Sequence, residues 1–595
     1  MQVTADRPKS PVSRSQPTSG GGYLSSSAGL LLILAAAAAL RLWGINHGLP
    51  FVYLTDEIME VKRALQLGAG HFDYDRAFKG GLFYLLFVGY GALFAVWRLA
   101  GEIRSTGDYL FRFAADPTPF WMIGRVTVAL IAIVNIFLVY RLGKKLGDRR
   151  VGILSALFLC FALDHHTESQ SITVDVLMVT LLTATFLYLV EIERMGRRRD
   201  YLLTSLFAAL AVMTKLPAIV VLLPILLAHV RRTRGEGLGA AAALTDRRFL
   251  FAICLFLGVT AIGNPGFFEA FVRAVEVRLG LLSEPTLTQS AEPFRLRTTN
   301  VWVYYVRAMG ASMSPLIFAA ALPGLVVGLW RRDRAAISIA LFCFVFYLFI
   351  CVPQREDHVY PRYTLPVQML LSVVAARFLV SIGRGLPHGR LGTGVRALAP
   401  LLLIVPGALQ IVRYDMTLTR TDTRTLAKRW IEENIPAGSR ILVKGSGYRP
   451  SPDTVALWNT AENVEAHLNR LKGDDPRWRE TSRYSRRKDS FHIAHLSVAR
   501  MREGYDLAFF GSDAFPYRSL DEYLDMGVEY IVIDRVEAQG FLNEEGSGRF
   551  PEVMRFYERV GRDPRLELIR EFTPRGNPGP ALELYRVREG PDVGG

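Results

Sequence analysis

The chain predicts a polytopic α-helical membrane protein with a soluble α/β domain at its C-terminal end. Three observations carry that prediction. Apolar runs of membrane length recur between residues 30 and 412. Basic clusters stand at the ends of those runs. From residue 413 onward the composition becomes that of a soluble domain. The net charge of +15 lies largely in clusters such as Arg141/Lys144/Lys145, Arg197-Arg198-Arg199, Arg231-Arg232/Arg234 and Arg331-Arg332/Arg334. Charge placed that way follows the positive-inside rule and does not form a nucleic-acid-binding stripe, so a lipid bilayer is the expected partner and nucleic acid is not. The four cysteines lie in or beside apolar runs, without metal-ligand spacing. A disulfide framework and cysteine chemistry are therefore not expected.

In chain order, residues 1–27 are rich in Ser, Pro and Gly and read as a disordered cytoplasmic tail. Residues 28–412 form the transmembrane module, beginning with an uncleaved span at 30–42. The loop 44–120 follows. In it Thr55 can cap an amphipathic helix whose first turn holds Asp56 and Glu57, with Ile58, Val61 and Leu65 as its apolar stripe. Residues 80–100 are apolar enough to cross. Crossing there would put the basic cluster at 141–150 outside and invert every later loop, so this segment is expected to stay juxtamembrane. Ten further spans follow, at 121–140, 151–163, 174–190, 201–213, 217–229, 249–262, 316–330, 337–352, 365–380 and 398–411, giving about eleven in all. The loop 264–307 contains a stretch at 284–292 that reads as mobile. Lysine and arginine placement gives a cytoplasmic N-terminus and an extracytoplasmic domain at 413–595, and the cell's inner (plasma) membrane is the expected location. In that domain Asp422 caps a helix carrying Leu426, Trp430 and Ile431. A strand at 441–443, a helix-to-strand unit at 520–533 and a hairpin of 566–572 with 581–587 complete it.

A transferase acting on a lipid phosphate needs a base, cations for the leaving phosphate, and aromatic surface for sugar or prenyl chain. Asp56 and Glu57 are the catalytic candidates, although acidic residues after a Thr cap also simply favour a helix start. Lys79, Lys215, Arg362 and Arg125 are candidates for the donor phosphate. An unpaired lysine inside apolar surroundings costs roughly 2.5–3.5 kcal/mol, so Lys215 points to a watery cavity, an anionic partner, or snorkelling to the interface. Interface anchoring is the other reading of Arg125. Tyr363, Asp175, His165, Glu168 and Tyr84 are candidates for lining the substrate cavity. His165 and Glu168 share a helical face, but no third ligand follows at a fixed spacing. A divalent metal is thus a secondary reading, and no metal or other cofactor is predicted.

These residues fall in motifs that resemble the GT-C superfamily of polyprenyl-phosphate-dependent glycosyltransferases, in the branch of protein O-mannosyltransferases and the lipid A aminoarabinose transferase. The carrying features are Thr55-Asp56-Glu57, the run Lys79-Gly80-Gly81-Leu82-Phe83-Tyr84, Gly124-Arg125, Asp175, Thr214-Lys215, Arg362-Tyr363-Thr364-Leu365-Pro366, and residues 423–439. Their order covers nearly the whole chain. The resemblance implies inverting transfer of a hexosyl or pentosyl group at the extracytoplasmic face, from a polyprenyl-phosphate-sugar to a glycan, lipid or protein acceptor of the cell envelope. It implies Asp56 as the base, Lys79 as a phosphate contact, and juxtamembrane helices in the first loop. Where that family often carries paired prolines this chain has Gly80-Gly81, which implies a looser helix start. Two readings of other classes remain beside it. A transporter of lipid-linked or small substrates would place charges at mid-membrane on broken helices, and a non-catalytic membrane subunit would lack the acidic and basic partners.

Overall fold

The computed structural model describes residues 26–68, 80–278, 300–351, 359–387, 389–445, 449–472, 489–512, 515–542 and 550–588. Most of the expected tail, Lys79 and the stretch 284–292 lie outside these residues.

Each of the eleven predicted spans falls on a helix. Among the described residues seven helices are long and apolar enough to cross a membrane, or eight if the pair Val301–Ser312 and Pro315–Trp330, bent by 112°, counts as one span. The chain is an integral membrane protein. One of the seven is Leu82–Leu99, the segment expected to remain juxtamembrane; length and composition leave its course open. Four of the predicted spans are shorter helices, Ser26–Leu42, Arg149–Cys160, Arg198–Thr214 and Arg247–Gly263. Local sequence sets the starts of two of them. Asp148 caps Arg149–Cys160 by accepting from the amides of Arg150 (2.8 Å) and Val151 (3.0 Å), and Asp246 caps Arg247–Gly263 in the same way.

Helix Val174–Arg194 runs through the middle of the bundle, buried on most sides. Asn135 donates to Thr183 across it at 2.9 Å, because an amide in an apolar interior needs a partner. Helices Thr118–Leu146 and Arg149–Cys160 approach so closely that a Cβ on Gly143 would lie 2.5 Å from Ser155 Oγ. Small residues allow such contact where dispersion, rather than water exclusion, drives helix pairing.

A second core stands at the end of the bundle that carries the C-terminal domain. There Ile58, Val61, Ala64 and Leu65 of helix Thr55–Gly68 pack against Leu82, Phe83, Leu86 and Tyr90. Tyr109 and Phe120 join them edge to face, with centroids 5.1 Å apart. The predicted stripe of Ile58, Val61 and Leu65 is therefore the buried face of this helix.

The C-terminal domain is built on a five-stranded sheet ordered β2-β1-β3-β5-β4. Its strands are β1 (Arg440–Lys444), β2 (Asp506–Phe510), β3 (Tyr530–Asp534), β4 (Leu566–Phe572) and β5 (Leu582–Val587). The first three are parallel and the last two form an antiparallel hairpin added to β3. The run Ile441-Leu442-Val443 is buried on both faces, as a central parallel strand requires. Ala427 and Ile431 of helix Thr423–Asn434 cover one face of the sheet, and Phe556 and Val560 of helix Pro551–Arg562 cover the other. Asp422 caps the first of these helices as predicted, accepting from the Arg424 amide at 2.9 Å.

This domain grips the first loop. The hydroxyls of Tyr53 and Thr425 lie 2.8 Å apart, and the Arg424 guanidinium sits 3.9 Å above the Tyr53 ring. Phe113 meets Phe491 with centroids 5.8 Å apart.

Candidate active site

Helix Thr55–Gly68 organises the site, with Asp56 and Glu57 in its first turn, where the helix dipole favours negative charge. The two carboxylates face apart. Glu57 is fully buried. It accepts from Arg125 Nε and Nη2, each at 2.8 Å, from Trp121 Nε1 at 3.1 Å and from the Ile172 amide at 3.0 Å. Four donors fill both its oxygens. Arg125 is also buried, and its Nη1 donates to the carbonyls of Ile45 and His47, each at 2.8 Å. Sequence reading offers Glu57 as catalytic and Arg125 as a phosphate ligand. The structure corrects both, because their polar atoms are consumed by one another and by the loop around them. They form a clamp that sets the angle of the acidic helix.

Asp56 points the other way, and its Oδ2 lies 2.7 Å from Nη2 of Arg362. Its side chain is 42% exposed against 18% for Arg362, which makes Asp56 the accessible carboxylate of the adjacent pair. Arg362 comes from the short turn Pro361–Thr364, which leads into helix Leu365–Gly385. It sits 4.6 Å above the Tyr360 ring. Its Nη1 is 3.9 Å from Glu168 Oε2 and its Nε 4.0 Å from Asp175 Oδ2. Lys215, which follows helix Arg198–Thr214, pairs with Asp175 at 2.7 Å and lies 4.5 Å over the Tyr363 ring.

The fold thus brings together six of the residues named from sequence: Asp56, Glu168, Asp175, Lys215, Arg362 and Tyr363. Two buried polar atoms in the cluster, Arg362 Nε and Glu168 Oε2, make no hydrogen bond among the described residues. Such orphaned atoms mark a place that a ligand or water completes. Burial pushes the Glu168 carboxyl up, Arg362 opposes that rise, and Asp175 adds to it. The result is an acid that holds its proton above the usual range.

His165 and Tyr84 serve elsewhere. His165 Nδ1 lies 2.9 Å from Nη2 of Arg41. A guanidinium only donates, so this nitrogen accepts. Burial pushes the His165 imidazole well down, with Arg41 and His166 adding to the fall. Next to it, His166 Nε2 lies 2.8 Å from Asp415 Oδ1, to which Gln170 also donates at 3.0 Å. Arg41, Gln170 and Asp415 escaped the sequence reading. The available signal was an arginine and an aspartate inside apolar helices, each costly unless paired. Tyr84 donates to the Gly263 carbonyl at 2.8 Å. Among the described residues no group of three or more His, Cys, Asp or Glu side chains has the geometry to hold a metal ion.

Gly80-Gly81 does the opposite of loosening its helix start. The Gly80 amide donates to the Met213 carbonyl at 2.8 Å, next to Thr214-Lys215. Gly81 has φ 85° and ψ −62°, and the Leu82 amide donates back to the Gly80 carbonyl at 3.0 Å. That is a γ-turn at positive φ, strained for any residue with a side chain. An added Cβ at Gly81 would also lie 2.6 Å from Thr214 Oγ1. Gly81→Ala is therefore expected to cost about 1–3 kcal/mol of stability, measured as a lowered Tm of the purified chain. An unchanged Tm would contradict the turn's role.

Residues 120–244 match the sequence profile of a family described as dolichyl-phosphate-mannose-protein mannosyltransferase. No curated protein matches the chain. Among solved structures, ArnT from Cupriavidus metallidurans bound to undecaprenyl phosphate is 12% identical with a TM-score of 0.47, covering 94% of this chain and 98% of that one. The archaeal oligosaccharyltransferase AglB from Archaeoglobus fulgidus, in complex with an inhibitory peptide and a dolichol-phosphate, is 11% identical with a TM-score of 0.46, covering 88% and 71%. The arabinofuranosyltransferase AftD from Mycobacteria is 16% identical with a TM-score of 0.40, covering 96% and 40%. The profile match spans Glu168, Asp175 and Lys215 of the cluster. On that match, the resemblance of this chain to the polyprenyl-phosphate-dependent glycosyltransferases of the GT-C superfamily stands.

Proposed function

We propose that the chain transfers a sugar from a polyprenyl-phosphate donor to an acceptor hydroxyl at the outer membrane face, with inversion at the anomeric carbon. Asp56 is the general base, and Arg362 with Lys215 forms the clasp for the leaving phosphate. The observation that carries this reading is the 2.7 Å contact between the exposed carboxylate of Asp56 and Arg362, beside the Lys215–Asp175 pair. Base and cations from distant parts of the helical module thereby meet in one place. The family description, which names a polyprenyl-phosphate sugar, supports the donor class.

The step balances as follows. The acceptor oxygen forms a bond to the anomeric carbon while its proton passes to Asp56. The bond from that carbon to the phosphate oxygen breaks on the opposite side, which inverts the centre. Negative charge collects on the leaving polyprenyl phosphate, where fixed cations are worth most. Glu168 fits this setting, because a carboxyl that keeps its proton adds no negative charge beside a phosphate. Asp175 holds Lys215 and stands beside Arg362 before the donor arrives. Tyr360 and Tyr363 hold them from the ring side. The proposal includes no cofactor.

The test is comparative mass spectrometry of glycolipids and glycoproteins from cells carrying the wild-type chain or Arg362→Ala. The expected result is loss of one glycan and accumulation of its lipid-linked donor. Unchanged glycans at equal membrane levels of the two proteins would sink the proposal.

A further inference from the structure

A cleft of about 750 Å³ opens between the first loop and the C-terminal domain. It is separate from the acidic cluster. Ile58 and Lys62 line it, one turn apart on helix Thr55–Gly68, and Ile58 projects about 200° round the helix from Asp56. The size falls in the usual range for small-ligand sites. Its wall carries four cations, Lys62, Lys428, Arg449 and Arg502, against the carboxylates of Asp116 and Glu432.

Aromatic rings hold two of these cations in place. Lys428 Nζ lies 5.4 Å over the Phe51 ring and is already paired with Glu432, whereas the Arg502 guanidinium lies 4.9 Å over Trp458. Charges fixed in this way have already lost much of the freedom that binding an anion would remove. His495 stacks on Trp458, with centroids 4.9 Å apart. Burial pushes its imidazole down to about 3, with Arg449, His492 and Lys62 adding to the fall, so His495 is a neutral ring in the cleft wall. Thr454 also lines the cleft. It is 3% exposed, and its hydroxyl makes no hydrogen bond among the described residues. A buried hydroxyl in that state is a ready partner for a sugar hydroxyl.

We propose that this cleft binds an anionic saccharide, a sugar chain carrying phosphate or carboxylate groups, and so holds the part of the acceptor beyond the reacting hydroxyl. As a statement about the acceptor it rests on the transferase reading above; as a statement about binding it does not. Fixed cations recognise the anionic groups, and the interleaved rings with the Thr454 hydroxyl suit the alternating apolar and polar faces of a pyranose. A phosphate on its own would need only the cations.

The test is calorimetry on the full chain in nanodiscs, with three probes: a hyaluronan hexasaccharide, the neutral chitohexaose, and inorganic phosphate. The hyaluronan probe is expected to bind at least about tenfold more tightly than either of the others. Arg502→Gln and Arg449→Gln are each expected to weaken it by about tenfold. Arg502 lies on the surface, so that variant tests binding without testing the fold. Asp56→Asn is expected to leave the affinity unchanged. Equal binding of the neutral probe, equal binding of phosphate, no binding at all, or full affinity in both arginine variants would each overturn the proposal. Because the readout is binding, failure here leaves Asp56 untouched, and failure of the Asp56 assignment leaves the cleft untouched.

Discussion

Asp56→Asn is expected to lower turnover by about 10²–10⁴-fold, the range for removing a positioned general base. Donor affinity is expected to stay within a few-fold. Asparagine keeps the shape and the hydrogen-bonding oxygen but cannot take the acceptor's proton. The fold should tolerate the change. Losing one negative charge from the first turn of a helix costs about 0.3–1 kcal/mol, and an ion pair whose carboxylate is 42% exposed contributes little to stability. Freed from Asp56, Arg362 would be more available to a phosphate, so a fall in kcat without a rise in donor KM is the signature. Steady-state kinetics with a synthetic polyprenyl-phosphate sugar would check it. Turnover within tenfold of wild type would remove Asp56 from the base role.

Arg125→Ala is expected to cost about 3–5 kcal/mol of stability, the usual penalty for leaving one member of a buried ion pair alone. The Glu57 carboxylate would keep only the Trp121 indole and the Ile172 amide, and the Ile45 and His47 carbonyls would lose their shared donor. Arg125→Lys is expected to rescue little, since one ammonium cannot reproduce a forked guanidinium that reaches both the carboxylate and two carbonyls. The double replacement Glu57→Leu with Arg125→Met should recover part of the loss, because it removes the uncompensated charge. Thermal unfolding of the purified variants would show this order. A Tm for Arg125→Ala close to wild type would contradict the clamp.

The helical module was legible because hydropathy is a local property: a run of apolar residues predicts a helix without reference to anything else. The same holds for the Asp422 cap, the buried run 441–443 and the closing hairpin. Strand β2 was missed. Asp-Leu-Ala-Phe-Phe at 506–510 does not alternate, and it becomes a strand by pairing with β1. The division of roles between Asp56 and Glu57 was hidden for a related reason. Which carboxylate is spent on structure depends on Arg125, 68 positions away from Glu57, and on the angle at which their helices meet. Lys215, Arg362 and Asp175 were all named from sequence, but that Asp175 faces both cations was visible only once the chain was folded.

The grip of the C-terminal domain on Tyr53 has a mechanical meaning. Tyr53 is held at its hydroxyl by Thr425 and across its ring by Arg424. The proposed base follows it three positions later in the chain. So short a tether transmits displacement with little slack, and the clamp on Glu57 supplies a fulcrum just beyond it. A tilt of the sheet domain is then a lever on Asp56.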